Sequence, residues 1–213
     1  GTFTAFPASL ATARTAPEVA ALDANRVLVC GGEIAYDSAA DTAEVVNVQS
    51  GTVTPAANVM RVRRLGHQLT ALTTGPNAGK ILVTGGMSQP NFYGTTSATA
   101  DLFDPVALTF ASAGPNMSQP RVYHSATRLA DGRVLLAGGY LAGSPTVAAS
   151  AEIYDPVAGT FTATTGNLKD PRWAHAAVLL NNGKVLLMGG NSQSGDSHSC
   201  ELFDPASGTF SVV

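Results

Sequence analysis

Charge is scarce in this chain: 13% of its 213 residues are Asp, Glu, Lys or Arg, and only three of the twelve cations are lysine. A net charge of −3 lacks the broad basic footprint that nucleic-acid binding requires, and the one basic knot is Arg61, Arg63 and Arg64. No run of about 18 apolar residues occurs, so no segment reads as a membrane-spanning helix. The two cysteines, Cys30 and Cys200, have no metal-ligand spacing, and nothing in the sequence supports a disulfide between them; they read as small buried hydrophobes. Helical periodicity is missing throughout, which leaves an all-β chain. No signal peptide is visible, and the start at Gly1 fits a mature, trimmed or excerpted product. Few lysines and abundant Ala, Gly, Thr and Ser point to a secreted or cell-surface protein.

A period dominates the rest. Gly-Gly pairs end short aliphatic runs at Gly31-Gly32, Gly85-Gly86, Gly138-Gly139 and Gly189-Gly190, at steps of 54, 53 and 51 residues. Around each pair the same string recurs, best seen as PRWAHAAVLLNNGKVLLMGG followed by CELFDPASGTF, so the repeating unit is one supersecondary block. Each unit predicts four strands. The first follows an Arg-x-x-His motif and ends at a hairpin turn such as Asn182-Gly183 or Asp131-Gly132. The second is solidly aliphatic, as in Arg133 to Ala137, and predicts burial on both faces. The third spans Glu44 to Asn47, Asp101 to Asp104, Glu152 to Asp155 and Glu201 to Asp204, and a Pro/Gly turn leads into the fourth. The units run over about 7–55, 56–112, 113–163 and 164–213, after a leading fourth-type strand within 1–6.

Spacing separates frame from variation. Phe3 to Arg14, Val53 to Arg64, Phe110 to Arg121 and Phe161 to Arg172 are all 11 residues apart, so the link between units is set by geometry. The connections after Gly-Gly, residues 33–43, 87–100, 140–151 and 191–200, have lengths of 11, 14, 12 and 10. Constant links between four-stranded antiparallel units suit blades that stack radially, each packing on both neighbours.

The Val-Leu-Leu-x-Gly-Gly run, the Glu-Leu-Phe-Asp-Pro segment and the Gly-Thr-Phe strand together resemble the kelch repeat of bacterial kelch proteins and galactose-oxidase-like β-propellers. The resemblance covers essentially the whole chain and implies a propeller of kelch blades, four of them here. That family usually has six or seven blades, so the resemblance implies further blades, a homodimer, or closure by four. The first unit departs from the pattern, with Pro17 in place of His and Asn47 in place of Asp-Pro.

Repeated polar residues read as frame. Arg14, Arg64, Arg121 and Arg172 recur with Glu44, Asp101, Glu152 and Glu201, which predicts one structural ion pair per unit. His67, His124 and His175 share one position; they are weak candidates for a shared metal site, and local bonding within each unit is the stronger reading. Arg121-Val122-Tyr123-His124 resembles the copper-binding Tyr-His segment of galactose oxidase. The cross-linked Cys-Tyr cofactor of that family would need Cys and Tyr at positions held here by Ala16, Gly66 and Ala174, so no cofactor is expected.

Copy-specific residues remain for function. The connections after Gly-Gly and the links between units emerge on one face, where Tyr36, Asp37, Asn91, Phe92, Tyr93, Tyr123, Tyr140, Trp173, Asp196 and His198 are the candidate ligand contacts. Aromatics beside fixed polar groups suit a glycan or a protein surface. The expected function is a non-catalytic binding module; the alternative is an enzyme, as part of a galactose-oxidase-like copper oxidase or with another active site on the loop face.

Overall fold

The aliphatic runs before the Gly-Gly pairs form the second strands of four antiparallel sheets. The computed structural model describes residues 5–35, 37–90, 94–141 and 146–213, and among these there is no helix. In chain order, sheet 1 contains β1 (Glu18–Ala21) and β2 (Arg26–Cys30), then an arm of β3 (Glu33–Ala35) and β4 (Ser38–Ala39), then β5 (Ala43–Asn47) and β6 (Thr52–Pro55). Sheet 2 is β7 (Gln68–Ala71), β8 (Ile81–Thr84), β9 (Ala100–Asp104) and β10 (Thr109–Ser112). Sheet 3 is β11 (Ser125–Arg128) and β12 (Val134–Ala137), an arm of β13 (Tyr140–Leu141) and β14 (Thr146–Val147), then β15 (Ala151–Asp155) and β16 (Thr160–Ala163). Sheet 4 is β17 (Ala176–Leu179) and β18 (Val185–Met188), an arm of β19 (Asn191–Ser192) and β20 (Gly195–Asp196), then β21 (Cys200–Asp204) and β22 (Thr209–Val212). Within each four-stranded sheet the strands are hydrogen-bonded in sequence order, with the arm excluded.

The arms are a difference from the four-strand expectation. In three units the connection after Gly-Gly folds back as a two-stranded ribbon, and in unit 2 it is held by the Met87↔Thr96 bridge. The expected leading strand falls mostly on residues outside those described, and Ala5 and Phe6 belong to no strand.

β7 packs on β1, β11 on β7 and β17 on β11, so the sheets follow one another in chain order. β8 and β12 are buried along their whole length, because each lies in a sheet with neighbours on both faces. β18 is different: Val185 and Leu187 are buried, but Leu186 is half-buried and Met188 exposed. Among the described residues, nothing buries Leu186 and Met188 as their counterparts in β8 and β12 are buried.

The core is a series of inter-sheet layers. A cross-strand aromatic pair sits on one face of sheets 2, 3 and 4: Phe103–Phe110, Tyr154–Phe161 and Phe203–Phe210, with ring centroids 4.8 to 4.9 Å apart. Each faces small and aliphatic side chains of the preceding sheet, such as Ala137 and Ala151 opposite Phe203 and Phe210. Burial of a Phe of this kind is worth about 1.5–3 kcal/mol. The turns between third and fourth strands are closed by side-chain acceptors; Asp155 Oδ1, for example, accepts from the Val157 and Ala158 N–H groups at 2.8 and 3.1 Å.

Candidate functional site

The link of 11 residues is held by the repeated arginine. Arg121 reaches back under its own unit: Nη1 donates to the Gly138 carbonyl at 2.7 Å and the Ser150 carbonyl at 3.1 Å, and Nη2 to Glu152 at 2.9 Å. Arg14–Glu44, Arg64–Asp101 and Arg172–Glu201 repeat the pair at 2.9, 2.8 and 3.1 Å. The carboxylates also accept link N–H groups: those of Ala11 and Thr12 on Glu44, Ser118 on Glu152, Lys169 and Asp170 on Glu201. Asp101 is one methylene shorter, and Arg61 adds a second ion pair to it at 2.5 Å. These charges are spent on backbone and on each other, so they belong to the frame.

The glycine pairs and the histidines form the second repeated device. Gly31, Gly85 and Gly138 all have positive φ, and a Cβ on them would stand 2.5, 2.7 and 3.0 Å from Cε1 of His67, His124 and His175, each from the next unit. The second glycine packs under its own link; at Gly86 a Cβ would lie 3.0 Å from the His67 Cβ. His124 Nε2 is 3.0 Å from Thr84 Oγ1, and His175 Nε2 is 2.8 Å from Ser125 Oγ, both across the boundary between sheets. The His124 and His175 imidazoles thus bond to the preceding unit, not within their own as expected, whereas the His67 ring meets the preceding unit by packing on Gly31. Burial, with the neighbouring arginine, lowers all three: His67 to about 3, His175 to about 4, and His124 well below the usual histidine range. They are neutral wedges at neutral pH. Among the described residues no group of three His, Cys, Asp or Glu side chains could hold a metal.

Copy-specific residues lie at the edge of this frame. In every unit the residue after the arginine bridges the residue after Gly-Gly: Thr15↔Glu33, Leu65↔Met87, Val122↔Tyr140 and Trp173↔Asn191. The following residue is left-handed in all four copies, Ala16 at φ 45, Gly66 at 64, Tyr123 at 54 and Ala174 at 52. Backbone bonds tie three of these together, from Tyr123 N to Gly66 O and from Ala174 N to Tyr123 O, both 2.8 Å. The left-handed turn lays the Tyr123 ring over Gly66, where a Cβ would sit 2.6 Å from the ring.

Here three of the candidate residues meet. The Trp173 ring lies 5.6 Å from Tyr123 and 5.9 Å from Tyr140, all three half-buried, and the two tyrosines pack on an apolar layer of Ala39, Leu65, Met87 and Val122. No family model matches the chain, and no curated protein does either. Tyr123 also borders a hollow of about 270 Å³ between β7, β11 and β17, lined by Gln68, Ser125, Thr127 and Ala177. Burial, with Glu33 and Glu18 nearby, pushes the Tyr123 phenol up, so it stays a donor.

The other candidates stand apart. Asp196 pairs with Asn191 in the fourth arm, two strands from Trp173, and both Asp196 and His198 are exposed. Asp37 turns the first arm at φ 68. Tyr36, Asn91, Phe92 and Tyr93 lie outside the described residues. A second hollow, about 310 Å³, opens on the outer rim between β16 and the β21–β22 turn; its lining of Thr160, Thr162, Thr164 and Ser207 offers hydroxyls and no aromatic ring. Residues not singled out by sequence include Asp170, whose carboxylate accepts from Ser197 Oγ at 2.5 Å and Ser199 Oγ at 2.8 Å. Its only sequence signal was its place two residues before a repeated arginine.

Proposed function

We propose that this chain is an array of kelch-type β-propeller blades that binds a protein or glycan ligand without chemistry, using the face that carries the Gly-Gly connections. The observation that carries this reading is the Trp173–Tyr123–Tyr140 cluster beside an open hollow. Aromatic rings with one end wet offer apolar area at little entropic cost, and the phenols and nearby amides can orient a ligand. The repeated Arg and carboxylate groups hold the frame in every unit, whereas the aromatic cluster is specific to one place in the array and borders the hollow. We place the protein outside the cell or on its surface, on the strength of its lysine-poor, hydroxyl-rich composition.

Trp173 is the chain's one tryptophan, so its emission reports this surface alone. A panel of oligosaccharides and a panel of folded extracellular domains are titrated while that emission is followed. The expected result is a saturable shift with one class of ligand that Tyr123→Ala weakens at least tenfold. Binding that leaves Trp173 unchanged, or stoichiometric copper with peroxide release from an alcohol, would overturn the proposal.

A further inference from the structure

We infer that the group drawn to the Trp173–Tyr123–Tyr140 cluster is cationic, an alkylammonium presented as a lysine side chain by a protein partner, a step that rests on the binding surface proposed above. Trp173 stands 5.6 Å from Tyr123 at an interplanar angle of 40° and 5.9 Å from Tyr140 at 56°. Rings inclined in this way share no plane, so the flat face of a sugar stacks on one of them at most. A cation makes no such demand. The negative face of any aromatic ring within about 6 Å attracts it, and tryptophan does so most strongly.

Charge in the connections that form this face has one sign. Residues 33–43, 87–100, 140–151 and 191–200 carry the carboxylates Glu33, Asp37, Asp41 and Asp196, and neither lysine nor arginine. Glu33 holds in unit 1 the position of Tyr140 in unit 3: it follows Gly-Gly and bridges Thr15 as Tyr140 bridges Val122. Glu18 opens β1, at the start of the strand that leaves the link. Burial first, then Glu33 and Glu18, push the Tyr123 phenol up, so the field of both carboxylates crosses unit 2 and reaches the rings. Arg63 also reaches the first arm, but its Nη1 donates to Ser38 Oγ at 2.8 Å, and the carboxylates stay in excess.

The hollow beside Tyr123 suits one side chain. At about 270 Å³ it is smaller than the pockets of about 300–1,000 Å³ that enclose larger ligands. No lysine or arginine lines it, and Gln68, Ser125 and Thr127 offer oxygen acceptors to an ammonium that has left water. His124 and His175 border it as well. Burial, with Arg121 and Arg172 beside them, holds both imidazoles neutral near pH 7, so they do not repel a cation.

The distribution of the acids favours a protein as the carrier. Carboxylates stand in both the first and the fourth connections, and one small ion cannot face both. A segment with several lysines can place one ammonium against the rings and others against the carboxylates around them. Opposite charge spread over a surface of this kind raises the rate of encounter and selects the partner by sign.

The test follows Trp173 emission as tetralysine, fully acetylated tetralysine, tetramethylammonium and a neutral oligosaccharide are added to the chain. Tetralysine is expected to give a saturable shift, and acetylation to weaken it about tenfold or more, since it removes the charge and keeps the chain. Tetramethylammonium is expected to bind more weakly than tetralysine; equal affinity would overturn the protein source. Raising the salt from about 0.05 to 0.3 M is expected to weaken tetralysine binding, and Glu33→Gln and Glu18→Gln, each checked for an unchanged melting temperature, to lower both the affinity and its salt dependence. A merely structural role for these carboxylates leaves the salt dependence as it was. Acetylated and free tetralysine binding alike, or an oligosaccharide shift that Tyr123→Ala abolishes and Glu33→Gln leaves intact, would overturn the cationic ligand while the binding surface stands. Silence of tetralysine at about 5 mM, beyond the weak end of specific affinities, overturns the inference by itself. Silence of every ligand, folded domains included, overturns the surface it rests on.

Discussion

Arg121 and Glu152 meet through one 2.9 Å contact between side chains that are 0% and 2% exposed. The pair is fully desolvated, and the arginine's second terminal nitrogen, Nη1, donates to the carbonyls of Gly138 and Ser150. Burial alone lowers the affinity of Arg121 for its proton, and Glu152 opposes that by favouring the charged form.

Removing one member should therefore cost far more than removing a surface pair. Arg121→Ala is expected to lose about 3–5 kcal/mol, because a buried carboxylate is left without its cation. Arg133→Ala, in a pair with Asp131 whose side chains are 36 and 48% exposed, is expected to lose about 0–1 kcal/mol. Urea unfolding of the two variants measures both, and equal losses would contradict the strut.

Two glycines of similar backbone geometry should respond differently to the same substitution. Gly85 at φ 65 faces the His124 ring, whereas Gly183 at φ 82 has nothing within 4 Å of the added carbon. Gly183→Ala is expected to cost about 1–2 kcal/mol for the left-handed backbone alone. Gly85→Ala adds a clash with the next unit and is expected to cost at least twice as much. A similar loss for both would mean that the Arg121 carbonyl and the His124 ring, both of which a Cβ on Gly85 would strike, the ring at 2.7 Å, move aside without penalty.

Acid should destabilise the fold before the carboxylates titrate. The three wedged histidines have folded pKa values below the ordinary 6.5, two of them near 3 and 4. The unfolded chain binds protons first, so the stability they contribute is complete above about pH 6.5 and is lost as pH falls from there towards 4. Unfolding free energy measured from pH 7 to 5 is expected to drop with a slope approaching one proton per histidine. His175→Asn should lower the starting stability and remove one proton from that slope; an unaltered slope would show that His175 is not buried neutral.

Ala174 is an L residue at φ 52 with an exposed side chain. Ala174→Gly relieves the left-handed strain and gives up little packing, so a gain of about 0.5–1 kcal/mol is expected, after the added flexibility of the unfolded chain. Thermal unfolding checks the sign; a lower melting temperature would show that the methyl packs.

Much of the frame could be read in the sequence because it is written four times. The Gly-Gly period marked the second strands, and the recurring Arg and acidic residues marked the pairs that meet beneath each link. The left-handed position before the histidine was hidden, because Ala16, Gly66, Tyr123 and Ala174 share no chemistry and Gly66 alone signals it. The arms were hidden too: strands of two or three residues, such as Asn191–Ser192, are too short to alternate. The histidines were placed in the right strand position, but the partners of His124 and His175 lie one unit back, and a one-dimensional repeat carries no such offset. In the candidate site, Tyr123, Tyr140 and Trp173 converge because bridging pairs Trp173 with Asn191 and Val122 with Tyr140. Asp196 and His198 share the face without joining them.

The division of labour in the strut has an evolutionary consequence. Each unit brings its own arginine, carboxylate and glycine carbonyl, and meets its neighbour through backbone groups, a ring with a hydroxyl to receive it, and an apolar layer. A gene segment of this length can be copied next to itself and fold at once against its parent, since no private contact has to be invented. Loop residues can then drift in one copy while its twin keeps the array standing.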